Sequence, residues 1–164
     1  MVIGNGDIAT ALKEAMRPAD EGYIFFASGV SNSKEIREWE YQREKNLLVE
    51  QDKTKHIVYF STLAIFYSST RYTKHKQYME YLIKDNFRHW TIMRLGNITW
   101  GSNPHTLINY LRMHPKAKIR NEYRYICDKE EFLHWISLIP DWNCEMNVPG
   151  RRMLVREVVK EYCG

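Results

Sequence analysis

The first nine residues, Met1-Val2-Ile3-Gly4-Asn5-Gly6-Asp7-Ile8-Ala9, point to one class of fold. A short apolar run leads directly into two glycines, and the residues after them repeat at helical spacing up to Pro18, which should end the helix. A strand, Gly-x-Gly-x-x-Ala and a helix form the order of a dinucleotide-binding turn, where glycines let the backbone approach a pyrophosphate. A tight strand-to-helix turn that needs glycine for its own geometry would look the same. The motif alone therefore leaves both interpretations open.

Strands and helices alternate through the first two thirds of the chain. Apolar runs predict buried strands over residues 23–27, 56–60 and 90–95. Cap signals and spacing predict helices over residues 34–51, capped by Ser33, 71–84, capped by Thr70, 103–113, 132–139, capped by Asp128, and 153–162. For the helix over 34–51 we expect the inner side to carry Ile36, Trp39, Leu47 and Leu48. The alternation predicts an α/β protein with an open parallel sheet and helices on both faces.

Length and composition narrow the class of protein. A chain of 164 residues, 44% hydrophobic, suffices for one domain, and no apolar run approaches the roughly 20 residues that a membrane span needs. The amino terminus lacks the features of a signal peptide, and three scattered cysteines without a Cys-x-x-Cys suit a reducing compartment, so we expect a cytoplasmic protein. Neither the cysteines nor the six histidines form a metal motif.

The charge indicates the kind of ligand. A net charge of +4 with interspersed signs favours small anionic ligands and not a nucleic-acid surface. The aromatic content of 13% keeps single-strand binding by base stacking as an alternative hypothesis.

A second motif, Tyr72-x-x-x-Lys76, supplies candidate chemistry. Positions i and i+4 share one face of a helix, and an ammonium beside a phenol lowers a pKa that is ordinarily near 10. The pairs Tyr41/Lys45 and Tyr125/Lys129 have the same spacing. Only Tyr72 follows a buried strand that ends in hydroxyl residues, Ser61-Thr62, and ligands of open α/β sheets bind at that edge. Position therefore favours Tyr72 over Tyr41 and Tyr125.

Together these stretches resemble a known family. Residues 60–66, Phe-Ser-Thr-Leu-Ala-Ile-Phe, then Tyr72-x-x-x-Lys76, then residues 94–101, Arg-Leu-Gly-Asn-Ile-Thr-Trp-Gly, look like extended short-chain dehydrogenases/reductases, and most like the NAD-dependent nucleotide-sugar epimerase/dehydratase branch. Weaker similarities follow in register at residues 26–29, 125–128 and 147–150.

The resemblance implies roles for particular residues. Tyr72 would be the general acid/base, Lys76 its partner on the nicotinamide ribose, and Thr62 the hydroxyl that bonds the substrate oxygen. Thr62 is preferred to Ser61 because it stands at the family's distance before Ile65-Phe66. The resemblance implies NAD or NADP as the cofactor, lined by Gly4, Gly6, Asp7, Ile8, Ala27, Ser28, Gly29, Ser61, Tyr72, Lys76 and Asn97.

The chain also departs from the family pattern. The turn is one residue tighter than Gly-x-x-Gly-x-x-Gly and ends in Ala9, and members commonly have about twice this length. Only residues 18–22 separate the first helix from the next strand, so the second strand, its helix and the third strand are absent. With them goes the acidic residue that holds the adenosine ribose, unless Arg17 or a partner subunit takes its place. We therefore expect a single miniaturised Rossmann-like domain, 1–164, with a vestigial substrate-binding part in about 102–164.

Two functions follow from the resemblance. The first is a compact NAD(P)-dependent oxidoreductase or epimerase acting on a nucleotide-activated sugar or a similar carbonyl compound, with no nucleic-acid or membrane partner. The alternative is a module of the same fold that binds a dinucleotide or nucleotide sugar without turnover. Family members commonly dimerise through the helices equivalent to 34–51 and 71–84. Large side chains beyond one core stripe there favour a homodimer, namely Trp39, Tyr41, Leu47, Tyr78, Met79, Tyr81 and Leu82.

Overall fold

The structure is a computed structural model, which describes residues 1–16 and 21–164. Pro18, expected to end the first helix, and Arg17, considered as a neighbour of the adenosine ribose, lie outside the described residues. No helix within the described ranges is long and apolar enough to cross a membrane.

Five parallel strands form the main sheet. In spatial order they are β1 (Val2–Ile3), β2 (Tyr23–Phe26), β3 (His56–Thr62), β4 (Trp90–Leu95) and β7 (Cys144–Val148). The predicted open parallel sheet is therefore confirmed. β1 pairs with β2 and forms one edge, because no strand of the described chain adds beyond it. An edge of two residues leaves few backbone groups unpaired, so it can stay uncovered.

Helices cover both faces of this sheet, α1 (Asp7–Ala15) and α5 (Lys129–Ser137) on one face, α2 (Glu38–Val49) and α3 (Arg71–Asn86) on the other. Two further helices, α4 (Leu107–Met113) and α6 (Val155–Val158), pack in a separate cluster with Ile126 and Met153. Successive strand residues point to opposite faces. On one face Val58 and Met93 pack with Leu12 of α1 and Phe132 of α5. On the other, Ile57 and Ile92 pack with Leu48 of α2 and Met79 and Ile83 of α3.

Two helix starts agree with the sequence signals and two do not. Thr70 caps α3 with a reciprocal capping box to Thr73, and Asp128 caps α5 by accepting from the Glu131 N–H. The predicted helix start at Asn103 is wrong, because Thr106 is the cap of α4. The predicted start at Ser33 is also wrong, because α2 begins at Glu38.

The segment before α2 is held by a side chain instead. The Glu35 carboxylate accepts from the backbone N–H groups of Ile36 and Arg37 and from the Arg37 guanidinium. Ile36 is 89% exposed and Trp39 58% exposed, so neither lies on the inner side where the sequence pattern placed it. Leu47 is half-buried and Leu48 is buried, as expected.

The last third differs most from expectation. A second sheet has the order β5 (Asn97–Ile98), β6 (Tyr123–Cys127) and β8 (Arg151–Leu154), with β6 parallel to β5 and antiparallel to β8. The single helix predicted over 153–162 is wrong: Met153 lies in β8, and a turn of π-helix over Val159–Cys163 follows α6. The residues of β6 and β8 mix arginines with tyrosines and aliphatics, a pattern without clear period.

Candidate active site

A cleft of about 780 Å³ opens where β1, β2, β3 and β4 end. Its walls come from the segments that follow these four strands, together with the start of α1, the first turns of α3, and residues 103–107. The carboxyl edge of a parallel sheet is where such folds bind ligands. Of the residues that the sequence nominated, those that line the cleft are Gly6, Asp7, Ile8, Ala27, Ser28, Gly29, Ser61, Thr62, Tyr72, Lys76 and Asn97.

Gly4 is the nominated residue that does not line the cleft, and it serves the turn itself. Its φ is +123°, and a Cβ there would lie 2.3 Å from the Ala27 carbonyl oxygen. Gly6 is different, because a Cβ at this position would meet no described atom within 4 Å. Gly6 also precedes the first turn of α1 without a side-chain cap. The N–H groups of that turn are free of intrahelical partners, and the open space beside Gly6 suits a phosphate.

Asp7 takes a structural part in the same turn. Its carboxylate accepts hydrogen bonds from the backbone N–H groups of Ser102 and Asn103, both at 3.0 Å, and its carbonyl accepts from the Trp100 indole. The Asp7 carboxylate packs so closely on Gly101 that a Cβ there would lie 2.0 Å from its Cγ. Asp7 therefore ties the glycine turn to the loop after β5, and its side chain is occupied in doing so.

The two hydroxyls at the end of β3 face different surroundings. Ser61 donates to the buried Glu80 carboxylate at 2.6 Å, and Arg94 holds that carboxylate with two further hydrogen bonds. Thr62 is half-buried, and its Oγ1 accepts from the Ala64 N–H at 3.2 Å. The Thr62 side chain also lies close enough to the Tyr72 phenol to lower the pKa of that group. Thr62 is thus the hydroxyl beside Tyr72, whereas the Ser61 hydroxyl belongs to an ion-pair network.

Tyr72 and Lys76 lie one turn apart at the start of α3, and the Lys76 Nζ is 5.8 Å from the centre of the Tyr72 ring. Burial raises the pKa of the Tyr72 phenol, while the Lys76 ammonium and the Thr62 side chain act in the opposite direction. Without a ligand, burial outweighs the cation. The lowering effect of Lys76 that the spacing predicted is present, but the net pKa is raised and Tyr72 stays protonated at neutral pH.

The alternative tyrosines do not lie in the cleft. Tyr41 lies on the buried side of α2 and donates a hydrogen bond to the Glu35 carbonyl at 2.7 Å. Tyr125 is a residue of β6. Neither lines the cleft wall. Asn97 does, and its side-chain amide donates to the Tyr125 carbonyl at 3.0 Å.

Beneath Lys76 lies a buried polar cluster that the sequence reasoning missed, formed by Glu44, Tyr59, His75 and Lys76. Lys76 Nζ is 3.1 Å from the Tyr59 hydroxyl and 3.4 Å from a Glu44 carboxylate oxygen. Glu44 also bonds Tyr59 at 2.6 Å and His75 at 2.8 Å. A signal existed: Glu44 lies three residues after Tyr41 and four before Leu48, on the buried stripe of α2.

Cations dominate the cleft wall. Lys34, Arg43, Lys76, Arg120 and Arg124 line it, and among the described lining residues Asp7 is the acidic one. Arg43 is held at the rim by hydrogen bonds to the Ser28 hydroxyl and carbonyl. Arg124 is a residue of β6 in the second sheet, and Arg120 lies in the segment before β6. No sequence pattern predicted either residue at the site. The wall attracts a ligand that carries several negative charges.

Solved structures share this fold. The Bordetella bronchiseptica enzyme WbmG in complex with NAD and UDP matches with a TM-score of 0.62 at 16% identity, over 87% of this chain and 56% of that one. Thermus thermophilus UDP-glucose 4-epimerase in complex with NAD matches with a TM-score of 0.62 at 16% identity, over 92% and 62%. For Bacillus anthracis dTDP-glucose 4,6-dehydratase in complex with NAD the TM-score is 0.63 at 12% identity, over 93% and 59%.

These similarities establish the Rossmann-like fold, and the chain spans less than two thirds of the length of these three proteins. No protein-family model matches the chain. No curated protein sequence matches it either.

Proposed function

We propose that the cleft binds a nicotinamide dinucleotide and that Thr62, Tyr72 and Lys76 act there on a carbonyl or alcohol group of a second ligand. The observation that carries this proposal is the meeting of two independent motifs in one cleft. The glycine turn after β1 and the Thr-Tyr-Lys set of β3 and α3 face the same space, although more than fifty residues separate them. The shared fold of structures in complex with NAD supports the choice of cofactor.

The residues present suit a dinucleotide. The open space at Gly6 and the first turn of α1 suit its pyrophosphate, with the loop of Ala27, Ser28 and Gly29 along the other side. β1 is an edge strand, so the neighbouring strand that carries an acidic reader of the adenosine ribose has no counterpart in the described chain. We therefore propose either NAD or NADP as the cofactor, with weak discrimination between them.

The chain's own groups divide the proton chemistry. A bound nicotinamide supplies a hydride donor or acceptor. Tyr72, kept protonated by burial, donates its proton to a carbonyl oxygen held by the Thr62 hydroxyl. The Lys76 ammonium then stabilises the phenolate that remains, which makes the return of the proton possible. In the reverse direction the same phenolate removes a proton from an alcohol.

For the second ligand we propose a nucleotide-activated sugar or a similar carbonyl compound. Arg120 and Arg124 line the end of the cleft formed by the second sheet, near Tyr67, and guanidinium groups match phosphate geometry. Structures of the same fold include complexes with UDP and with UDP-glucose. The proposed activity is that of an epimerase, dehydratase or reductase of the short-chain dehydrogenase type.

Fluorescence titration of the purified protein with NADH and with NADPH tests this function directly. We expect saturable binding of both, with affinities within about a hundredfold of each other, equivalent to about 3 kcal/mol. A larger preference for one of the two cofactors would show that a residue of the chain or of a partner subunit recognises the adenosine ribose. Absence of binding at millimolar concentration would contradict the proposed function.

A binding module without turnover is the second candidate. It is favoured by the edge position of β1, which leaves no described strand beside it to carry a residue for the adenosine ribose, and by an acidic side chain, Asp7, at the turn where a pyrophosphate would bind. The two candidates differ in one measurement. A module binds the cofactor without hydride transfer to or from any nucleotide sugar, whereas an enzyme passes a hydride from its substrate alcohol to bound NAD⁺, which yields NADH, a carbonyl compound and a proton.

We further propose a homodimer through α2 and α3. Trp39, Tyr78 and Tyr81 are 58%, 47% and 61% exposed on these helices, and Tyr78 and Tyr81 stack on each other. Tyr41 and Met79 are fully buried and are removed from the expected interface, because they pack inside this chain. Leu47 and Leu82 remain at its margin as half-buried residues.

A further inference from the structure

The carboxylate of Glu44 is fully buried, yet four donors surround it. Oε1 accepts from the Tyr59 hydroxyl at 2.6 Å and from the Lys76 ammonium at 3.4 Å. Oε2 accepts from the Val30 backbone N–H and contacts the His75 Nε2, both at 2.8 Å. Burial alone raises the pKa of a carboxyl group, but the Lys76 charge and the bonds from His75 and Tyr59 bring the pKa of Glu44 below its ordinary value. Glu44 is therefore an anion inside the protein.

Two parts of the cleft rest on this anion. One is Lys76, whose ammonium also contacts the Tyr59 hydroxyl at 3.1 Å. The other is the loop after β2, where the Val30 N–H donates to Glu44 and Gly29 packs against Glu44 and Lys76. A Cβ at Gly29 would lie 2.6 Å from Lys76 Nζ and 2.8 Å from Glu44 Oε1. Gly29 and Lys76 both line the cleft, whereas Glu44 does not.

The surrounding charges leave Glu44 as the counter-ion of Lys76. From α3, Tyr72 and His75 face the cluster, and from β3, Tyr59 does. Farther out, the Tyr41 ring packs edge-on against His75. The Arg71 guanidinium lies over Tyr41 and pairs with the exposed Glu38. The other buried carboxylate of this region, Glu80, accepts hydrogen bonds from Arg94 and Ser61.

We propose that Glu44 is a positioning residue, which holds the Lys76 ammonium against the Gly29–Val30 loop so that the cation stands beside Tyr72 before any ligand enters. The inference rests on the proposed function, in which Lys76 acts on Tyr72. Glu44 touches neither the cleft nor a reacting atom. It acts through Lys76 and through the loop.

The test replaces Glu44 by its neutral isostere, Glu44→Gln, and compares it with Glu80→Gln. Both substitutions neutralise a buried carboxylate that pairs with a cation, but Glu80, itself on α3, pairs with Arg94 and not with Lys76. The Lys76 side chain is followed by NMR in protein labelled with [ε-¹³C]lysine, with the signal assigned from Lys76→Met. This readout needs neither cofactor nor substrate.

In Glu44→Gln we expect the Lys76 ε-carbon signal to move from its position in the parent and its order parameter to fall, because the ammonium loses the anion that holds it. In Glu80→Gln the signal and its order parameter should stay at the parent values. A Lys76 signal in Glu44→Gln with the position and order parameter of the parent would overturn the proposal.

Glu44→Gln could fail to fold, because it leaves a buried ammonium without its partner. The double variant Glu44→Gln/Lys76→Met then decides, since it removes both charges. If Glu44 serves Lys76, the double variant has a higher thermal midpoint than Glu44→Gln alone. A double variant no more stable than the single one would refute the pairing.

Activity measurements separate this proposal from the proposed function. With a substrate in hand, Glu44→Gln should shift the pH profile of kcat, while the Glu80→Gln profile keeps its position. A Lys76 signal that changes in Glu44→Gln, in a protein that does not bind NADH, would contradict the proposed function and leave the Glu44–Lys76 relation intact. Normal turnover with an unshifted profile would contradict the role of Glu44 alone.

Discussion

The Asp7 carboxylate accepts a hydrogen bond at 3.0 Å from the backbone N–H of Asn103, a residue 96 positions later in the chain. A second bond from Ser102 and the close contact with Gly101 complete this junction. It joins the first turn of the fold to the loop that leads into α4. The cleft therefore depends on a contact between the first turn of the chain and a loop about a hundred residues later.

The first prediction concerns that junction. Gly101 has a φ of +90°, and a Cβ there would lie 2.0 Å from the Asp7 Cγ, so Gly101→Ala strains both the backbone and the contact. We expect a loss of about 1–3 kcal/mol in the free energy of unfolding. Urea unfolding followed by circular dichroism measures it. Gly22→Ala is the control, because a Cβ at Gly22 meets no atom of the described residues within 4 Å, and an equal loss there would contradict the explanation.

The second prediction separates ligand binding from stability. Gly6→Ala adds a methyl group where the structure has open space, so the free energy of unfolding should fall by no more than about 1 kcal/mol, the preference of an N-cap position for Gly over Ala. The methyl group occupies the space proposed for the pyrophosphate, and NADH affinity should fall roughly tenfold, equivalent to about 1.4 kcal/mol. Fluorescence titration measures the affinity. Unchanged affinity would place the pyrophosphate elsewhere.

The third prediction concerns Tyr72. Tyr72→Phe keeps the ring and removes the proton donor, so turnover should fall by about 10²–10⁴-fold while NADH binding remains. The matched control is Tyr41→Phe, which removes a buried hydroxyl from the Glu35 carbonyl. That variant should lose about 1 kcal/mol of stability and keep its turnover rate. If Tyr41→Phe is inactive and Tyr72→Phe is not, the wrong tyrosine has been chosen.

The fourth prediction is a pH dependence of stability. Hydrogen bonds from Arg37 lower the pKa of Glu35 from the ordinary 4.5 to about 2, and Glu44 also has a lowered pKa. A lowered pKa stabilises the folded state fully above the unfolded value, and this stabilisation disappears as the pH falls through the folded value. Stability should therefore decrease as the pH falls from about 5 towards 2. Urea midpoints measured at several pH values test it, and in Arg37→Ala the decrease should be smaller.

The fifth prediction is the oligomeric state. Tyr81 is 61% exposed on α3 next to Tyr78, and a charge there would be buried in the proposed helical interface. We expect a dimer mass by light scattering at tens of micromolar and a monomer mass for Tyr81→Glu. Trp142→Glu alters another exposed aromatic residue, between α5 and β7, and should leave the dimer intact. A monomer mass for the parent protein would refute the homodimer.

Local signals determined much of this protein. The apolar runs at β2, β3 and β4 and the cap at Thr70 depend on neighbouring residues, which is why the parallel sheet and α3 follow from the sequence. The glycine turn and the Tyr72–Lys76 spacing are equally local. In contrast, the prediction that Ile36 and Trp39 lie on the inner side of a helix is wrong, because both side chains are exposed. The Glu35 carboxylate binds the backbone N–H groups of the segment before α2.

Only the tertiary structure decided which polar groups are buried and with whom. Glu44 contacts Val30, Tyr59 and Lys76, residues 14, 15 and 32 positions away. Its spacing from Tyr41 and Leu48 indicates the buried stripe of α2, but only the folded chain shows which partners stabilise its charge. The second sheet also depends on distant partners, because β6 pairs with β5 on one side and with β8 on the other. Helix caps and apolar periods are short-range properties, whereas the burial of a charge depends on partners that folding brings together from distant parts of the chain.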